Sequence, residues 1–456
     1  MSDNNEFLGR EPIKKLLPRL ALPTVAAQLI NMLYNIVDRI YIGHIRGVGD
    51  LALTGVGVCM SLILIVSAFA AFCATGGAPR ASILMGGGDR ESAEKTLGGC
   101  FALQVIISAA LTAALLIWDR DFLLAFGASV NTIEYAVSYM NIYALGTVFV
   151  QLTLGLNAFI TAQGFARTGM LSVLIGAVCN IILDPIFIFA MDMGVAGAAL
   201  ATIISQAVSC VWVVAFLMGR NTILRLKMCN IRLRPRVILP CIGLGAAMFI
   251  MQSSESVIAM CFNSSLLRYG GDTAVGAMTI LTSCMQFAML PLQGVAQGAQ
   301  PIISYNYGAR NASRVRETFW LLLKVSLGYS VVLWALLMAF PRVFAGIFTP
   351  NAALLDFTES ALRVYCAVLG LFGIQVACQM TFASLGKAKE SAAVAIVRKF
   401  VLLIPLIYIM PQIFTADRTM AVYMAEPAAD ILAITFTAVL FTLTFRRTLR
   451  QMEAEV

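Results

Sequence analysis

Twelve runs of mostly apolar residues divide this chain, at roughly 18–43, 51–75, 97–117, 133–156, 169–190, 196–218, 237–262, 273–297, 319–340, 358–382, 398–415 and 421–445. Each approaches or exceeds the length a helix needs to cross the hydrocarbon core of a bilayer, about 20 residues, and none shows the roughly ten-residue alternation of a barrel strand. Lipid offers backbone groups no hydrogen bonds, so continuous apolar runs of this length must satisfy their own as helices. Composition agrees. Of 456 residues 60% are hydrophobic and 12% charged, with a mean hydropathy of +0.86, which excludes an ordinary soluble domain and a disordered chain. The expectation is an all-α integral membrane protein with twelve transmembrane helices and the lipid bilayer as its surroundings.

Lys and Arg are spread unevenly over the connections. The side carrying both termini holds 24, including four at the start, six between 220 and 236, four between 387 and 399 and three after 445. The other side holds six: Arg46, Arg120, Arg268, Arg342, Arg363 and Arg418. The positive-inside rule then places both termini in the cytoplasm, consistent with an even number of spans, and the expected location is a bacterial inner membrane. This placement also explains the net charge of +8 without a nucleic-acid partner. The basic start, through Arg10, Lys14, Lys15 and Arg19, runs directly into a full-length span and lacks the short apolar stretch and cleavage site of a signal peptide. Eleven cysteines lie scattered with no Cys-x-x-Cys pair, and His44 is the only histidine, so small buried thiols are the expected reading.

An offset of 222 residues aligns the chain with itself. Gly49-Asp50-x-Ala52 meets Gly271-Asp272-x-Ala274, and Gly76, Pro79, Ser82, Gly86 and Thr96 meet Gly298, Pro301, Ser304, Gly308 and Thr318; Gly164 and Ala166 meet Gly386 and Ala388. Six helices per repeat make the two parallel. The expected organisation is an amino-terminal lobe at 1–218, a basic linker at 219–236 and a carboxy-terminal lobe at 237–456. Gly86-Gly-Gly-Asp89 lacks the Gly-Lys-Ser/Thr of a phosphate loop and instead matches the turn at Gly308.

Inside the fifth run, Asn180-Ile-Ile-Leu-Asp184-Pro185 sets an amide and a carboxylate four residues apart, on one helix face, before a proline that lacks a donor. An ionisable group at that depth costs about 2.5–3.5 kcal/mol or more, so it should face a wet cavity or a bound cation. This pattern points to a secondary transporter with a coupling site at Asn180 and Asp184. No nucleotide-binding motif is present to supply an ATP-driven alternative.

Leu20-Ala-Leu-Pro23 followed by Leu33-Tyr-Asn-Ile-Val-Asp38, the stretch Gly298-Ala-Gln-Pro-Ile-Ile-Ser-Tyr-Asn-Tyr-Gly-Ala309, and the Ala162-Gln-Gly and Ser384-Leu-Gly-Lys turns resemble the multidrug and toxic compound extrusion (MATE) family. The resemblance runs over about residues 10 to 450 and is nearer to the DinF-like and MepA-like branches than to the NorM branch. It implies two six-helix lobes around a central cavity, and export of small organic cations in exchange for sodium ions or protons; separately, no other cofactor is expected and the expected working unit is a monomer. It also implies a cation site at Asp38, Asn180, Asp184 and Thr202, whose hard oxygen ligands suit Na+. Two adjacent carboxylates would equally suit a proton. At the repeat offset these positions become Met260, Leu402, Leu406 and Met424, so the site is expected in the first lobe alone.

Glu255 lies in the seventh span among Gln252, Ser253, Ser254 and Ser256. NorM-like members use a Glu on this helix in a second cation site, but the Asp that such a site wants on the tenth helix is absent between Gly370 and Gly386. Glu255 is therefore a candidate for the cavity wall, together with Asn31, Tyr139 and Asn157. Glu426 and Asp430 are expected near the outer interface without a function. Two other readings remain. A flippase for lipid-linked precursors would need basic residues in its cavity, and the spans as read here offer Arg39 near one end and Lys324 one turn inside another. Export of an endogenous metabolite would leave no mark. An enzyme is not expected, since no nucleophile–base pair or metal cluster is visible.

Overall fold

The computed structural model describes residues 6–45, 48–347 and 352–454, so Arg46 of the charge count lies outside the described residues. The described residues form α-helices joined by short turns, without a strand. In order the spanning helices are α1 (Ile13–Gly43), α2 (Leu51–Gly86), α3 (Arg90–Ile117), α4 (Ile133–Leu145 with Thr147–Ala162), α5 (Ala166–Ala190), α6 (Gly194–Met218), α7 (235–270), α8 (272–308), α9 (Ala312–Ala339), α10 (Ala352–Tyr365 with Leu369–Ser384), α11 (Ala388–Ile413) and α12 (Arg418–Ala454). Helices α7 and α8 are continuous in hydrogen bonding and part at Gly271, whose φ of 64° only glycine adopts readily. Both α4 and α10 bend, by 58° and 44°, at the repeat-related positions Gly146 and Val368.

The internal repeat is visible in individual bonds. Ser82 Oγ donates to the carbonyl of Ala162 (3.3 Å), and Ser304, 222 residues later, donates to Ser384 (2.8 Å). Asp89 caps α3 by accepting from the Ser92 amide (2.9 Å), and Asn311 caps α9 by accepting from Arg314 (3.2 Å). Residues in left-handed conformation precede both caps, Gly88 at φ 80° and Arg310 at φ 59°, as expected for matching turns.

Both termini share one end of the bundle, where Leu8, Ile13 and Leu16 pack with Phe445, Leu449 and Met452. The two halves meet closely toward this end. A Cβ on Gly86 would run into the carbonyl of Tyr305, and one on Gly308 into that of Ile83; Gly76 and Gly298 similarly abut Cys241 and Ala21. Thr24 Oγ1 donates across the seam to Gly294 (2.6 Å). Arg314 then ties the start of the chain to the second half, donating to the carbonyls of Leu8 (3.0 Å) and Glu11 (2.8 Å) and to Asn306 (3.0 Å). Gly86→Ala should weaken the closed seam by about 1–3 kcal/mol through overpacking. With the exposed native Cys229 replaced by Ser, this should appear as faster maleimide labelling of Ser82→Cys; unchanged labelling would show that the seam does not need the glycine.

Candidate functional site

Pro185 ends the regular part of α5. It donates no backbone hydrogen bond, and the next residues, Ile186–Ala190, widen into a π-helical turn closed by the Met191 amide on the Ile186 carbonyl (2.8 Å). Immediately before this break, Asn180 Nδ2 donates to Asp184 Oδ1 (3.2 Å). Asp38, from α1, reaches the same place, and its carboxyl group contacts that of Asp184 directly. All three side chains are shut in, with exposures of 5% for Asp38, 2% for Asn180 and 0% for Asp184.

Three oxygens in this cluster meet no donor: Asp38 Oδ1, Asn180 Oδ1 and Asp184 Oδ2. Buried oxygens without partners are costly, and no Lys or Arg bonds either carboxylate among the described residues. The adjacent Arg39 is exposed. Converging hard oxygens with no protein cation are what a sodium ion or a proton fits.

Thr202, on α6, joins through Tyr139 of α4. The Tyr139 hydroxyl meets the Thr202 side chain, and its ring stacks on Tyr143 with centroids 6.2 Å apart. Thr202 itself donates to the Ala198 carbonyl (3.0 Å). Tyr139 is thus buried beside the acid pair. Sequence reasoning missed Tyr34 and Gln206, which lie beside each other at the margin of the site. The available signal was spacing: Tyr34 precedes Asp38 by one helical turn, and Gln206 follows Thr202 by one.

The other two cavity candidates part company. Asn31 is exposed on α1, two turns before Asp38, and its carbonyl accepts from Asn35 (2.6 Å). Asn157 donates to the Gly169 carbonyl (3.3 Å), bridging α4 to the start of α5. Gly169 precedes Asn180 by about three turns, about 16 Å along the helix, so Asn157 stands apart from the acid pair.

The second half corrects two expectations. Helix α11 begins at Ala388 instead of 398, which moves Arg398 and Lys399 from a connection to about 15 Å inside a span. Glu426 and Asp430 lie well inside α12, buried, and not idle at an interface. Arg398 bonds both, at 3.0 Å to Glu426 and 2.9 Å to Asp430, and its guanidinium stacks on Phe372 at 4.9 Å. Lys399 bonds Glu255 of α7 at 2.6 Å. The π-helical stretch Val397–Leu403 carries the two neighbouring bases. The intramembrane charge inventory therefore includes two bases that the charge count assigns to a connection and two acids expected near the outer interface.

The MatE family model matches residues 23–186 and again 247–409, together well over half of the chain. The chain belongs to the MatE family. Among curated relatives, the multidrug export protein MepA of Staphylococcus aureus (strain NCTC 8325 / PS 47) is 24% identical over 413 residues, spanning 90% of this chain and 89% of that protein. A solved MATE structure in its bent conformation superposes with a TM-score of 0.92 at 22% identity, covering 99% of this chain and all of that one. A multidrug resistance MATE family transporter of the MOP superfamily, in an outward-facing conformation, superposes at 0.88 with 24% identity, covering 100% and 99%. The two separate MatE matches fall on the two halves of the internal repeat. The fold is that of MATE transporters, a multi-pass membrane protein and not an enzyme.

Proposed function

We propose that this MatE-family chain is a secondary multidrug exporter. It expels cationic amphiphiles in exchange for Na+ or H+, working as a monomer in a bacterial inner membrane with both termini in the cytoplasm. The observation that carries this reading is the acid pair: Asp38 and Asp184 touch, are buried, and form no ion pair with a Lys or Arg among the described residues. A cation or proton entering there neutralises charge shared by α1 and α5. Asn180 fixes Asp184 from one turn back, and Thr202 adds a hydroxyl from α6. The exchange requires the coupling ion to bind one state of the two halves better than the other, since equal binding shifts nothing. An inward gradient supplies the drive, with each charge moved worth about 2.3 kcal/mol per 100 mV.

A flippase for anionic lipid-linked precursors gains two intramembrane bases from the corrected boundaries, yet both are already held by carboxylates. The acids in that group outnumber the bases, which favours a cationic substrate over an anionic headgroup.

The test is efflux of ethidium from liposomes containing the purified protein, with a sodium gradient and a proton gradient imposed separately. Efflux driven by one gradient supports the reading and names the coupling ion. If neither gradient moves dye through folded protein, multidrug export is wrong, and a lipid-linked or metabolite substrate takes its place.

A further inference from the structure

The charges inside the second half do not balance. Arg398 and Lys399 face Glu255, Glu426 and Asp430, so two bases meet three acids. Arg398 is committed to Glu426 and Asp430 through separate bonds and is stacked on Phe372. Lys399 lies within electrostatic reach of Glu426, but its bond goes to Glu255. That pair is lopsided. The Lys399 side chain is 6% exposed and Glu255 60%. Among the described residues Glu255 Oε1 has the only protein donor, and Oε2 has none.

The Glu255 side chain is exposed on α7. Gln252, Ser256 and Asn263 are exposed near one face of the same helix, beside the exposed Met260. Six residues before Glu255, Phe249 stacks on Phe72 of the first half, with centroids 5.0 Å apart, and Phe69 approaches it at 4.9 Å. Helix α7 therefore meets the first half at Phe249, and this aromatic cluster lies about 9 Å along it from the Glu255 position.

We infer that Glu255 and Lys399 form a substrate seat that selects by charge: Lys399 is a tethered cation that a monovalent aromatic cation must displace, and the incoming charge completes the balance of the five-residue group. This rests on the cation-exporter reading and adds to it the charge number of the preferred substrate. The ring system lies toward Phe69, Phe72 and Phe249, a cation–π arrangement, and the positive centre meets Glu255. Lys399, once displaced, stays neutralised by Glu426.

Charge arithmetic gives the expected outcome. Removing Lys399 takes the group from one to two surplus negative charges, so a dication should gain more than a monocation. Removing the Glu255 charge takes the surplus to zero, and both should lose. Ethidium and propidium share a phenanthridinium ring system and carry one and two positive charges, so they are the probes, with binding to full-length protein in nanodiscs read by fluorescence. Lys399→Gln should shift the affinity ratio toward propidium on the order of tenfold, while Lys399→Arg holds the wild-type ratio. Glu255→Gln should weaken ethidium by on the order of tenfold, and as an exposed, near-isosteric change it serves even if the Lys399 variant folds poorly. An unchanged ratio in folded Lys399→Gln, or unchanged ethidium binding in Glu255→Gln, overturns this inference alone. Failure of the wild type to bind either dye overturns the exporter reading and this inference with it.

Discussion

Asp184→Asn is expected to abolish gradient-driven efflux while leaving the protein folded. The substitution is nearly isosteric, and the Asn180 amide that donates to Asp184 Oδ1 finds a carbonyl oxygen in the same place. The difference is one negative charge. A unit charge about 4 Å from a cation at an effective dielectric near 20 is worth about 4 kcal/mol, or roughly a thousandfold in affinity for the coupling ion. Asp38→Asn removes the other member of the touching pair and should have the same outcome. The check is initial ethidium efflux under the driving gradient, with thermal unfolding run in parallel. Full coupled efflux from either variant would show that the acid pair is not where the ion binds.

Arg398→Met is expected to damage the fold instead of the coupling. The guanidinium bonds Glu426 and Asp430 at once, and all three side chains are close to fully buried. Removing the cation leaves two carboxylates one helical turn apart with no counter-charge, at a cost of about 3–5 kcal/mol. Replacing all three by Met, Gln and Asn removes the charges together and should recover most of that loss, since a buried ion pair is about as stable as a well-packed neutral substitute. Unfolding midpoints of the single and triple variants measure the contrast. A single variant as stable as the wild type would mean that the acids do not depend on Arg398.

These two groups differ in how far they could be read in advance. The acid pair announced itself, because Asp184 sits alone in a long apolar run and Asp38 stands in a motif shared with a known family. Span count and repeat were equally open to reading, since length and a 222-residue offset need no knowledge of packing. The second charged group was hidden by the method that found the spans. A window of hydropathy starts the eleventh run only at Arg398-Lys399, so two buried bases read as the basic end of a helix. Only the partners on α7 and α12, more than 25 residues away in sequence, show why they are inside. Tyr34 and Gln206 stayed out of sight for a different reason, as uncharged residues on helices full of similar side chains. Asn157 shows the reverse, a polar residue in a span whose duty is to tie two helices together.

The contact of Gly86 with the backbone near Tyr305 and of Gly308 with that near Ile83 relates residue i to j and then j to i, at the same 222-residue offset that links the sequences. This is the geometry of an isologous interface, the kind two identical subunits make about a dyad. Along its seam the chain is a homodimer fused end to end. A self-complementary contact ties both partners to one local shape, because an insertion or a bulkier residue on either side opens the joint for both. Away from the dyad no such bond of symmetry applies. There one half keeps two acids without a base, and the other holds three acids around two bases.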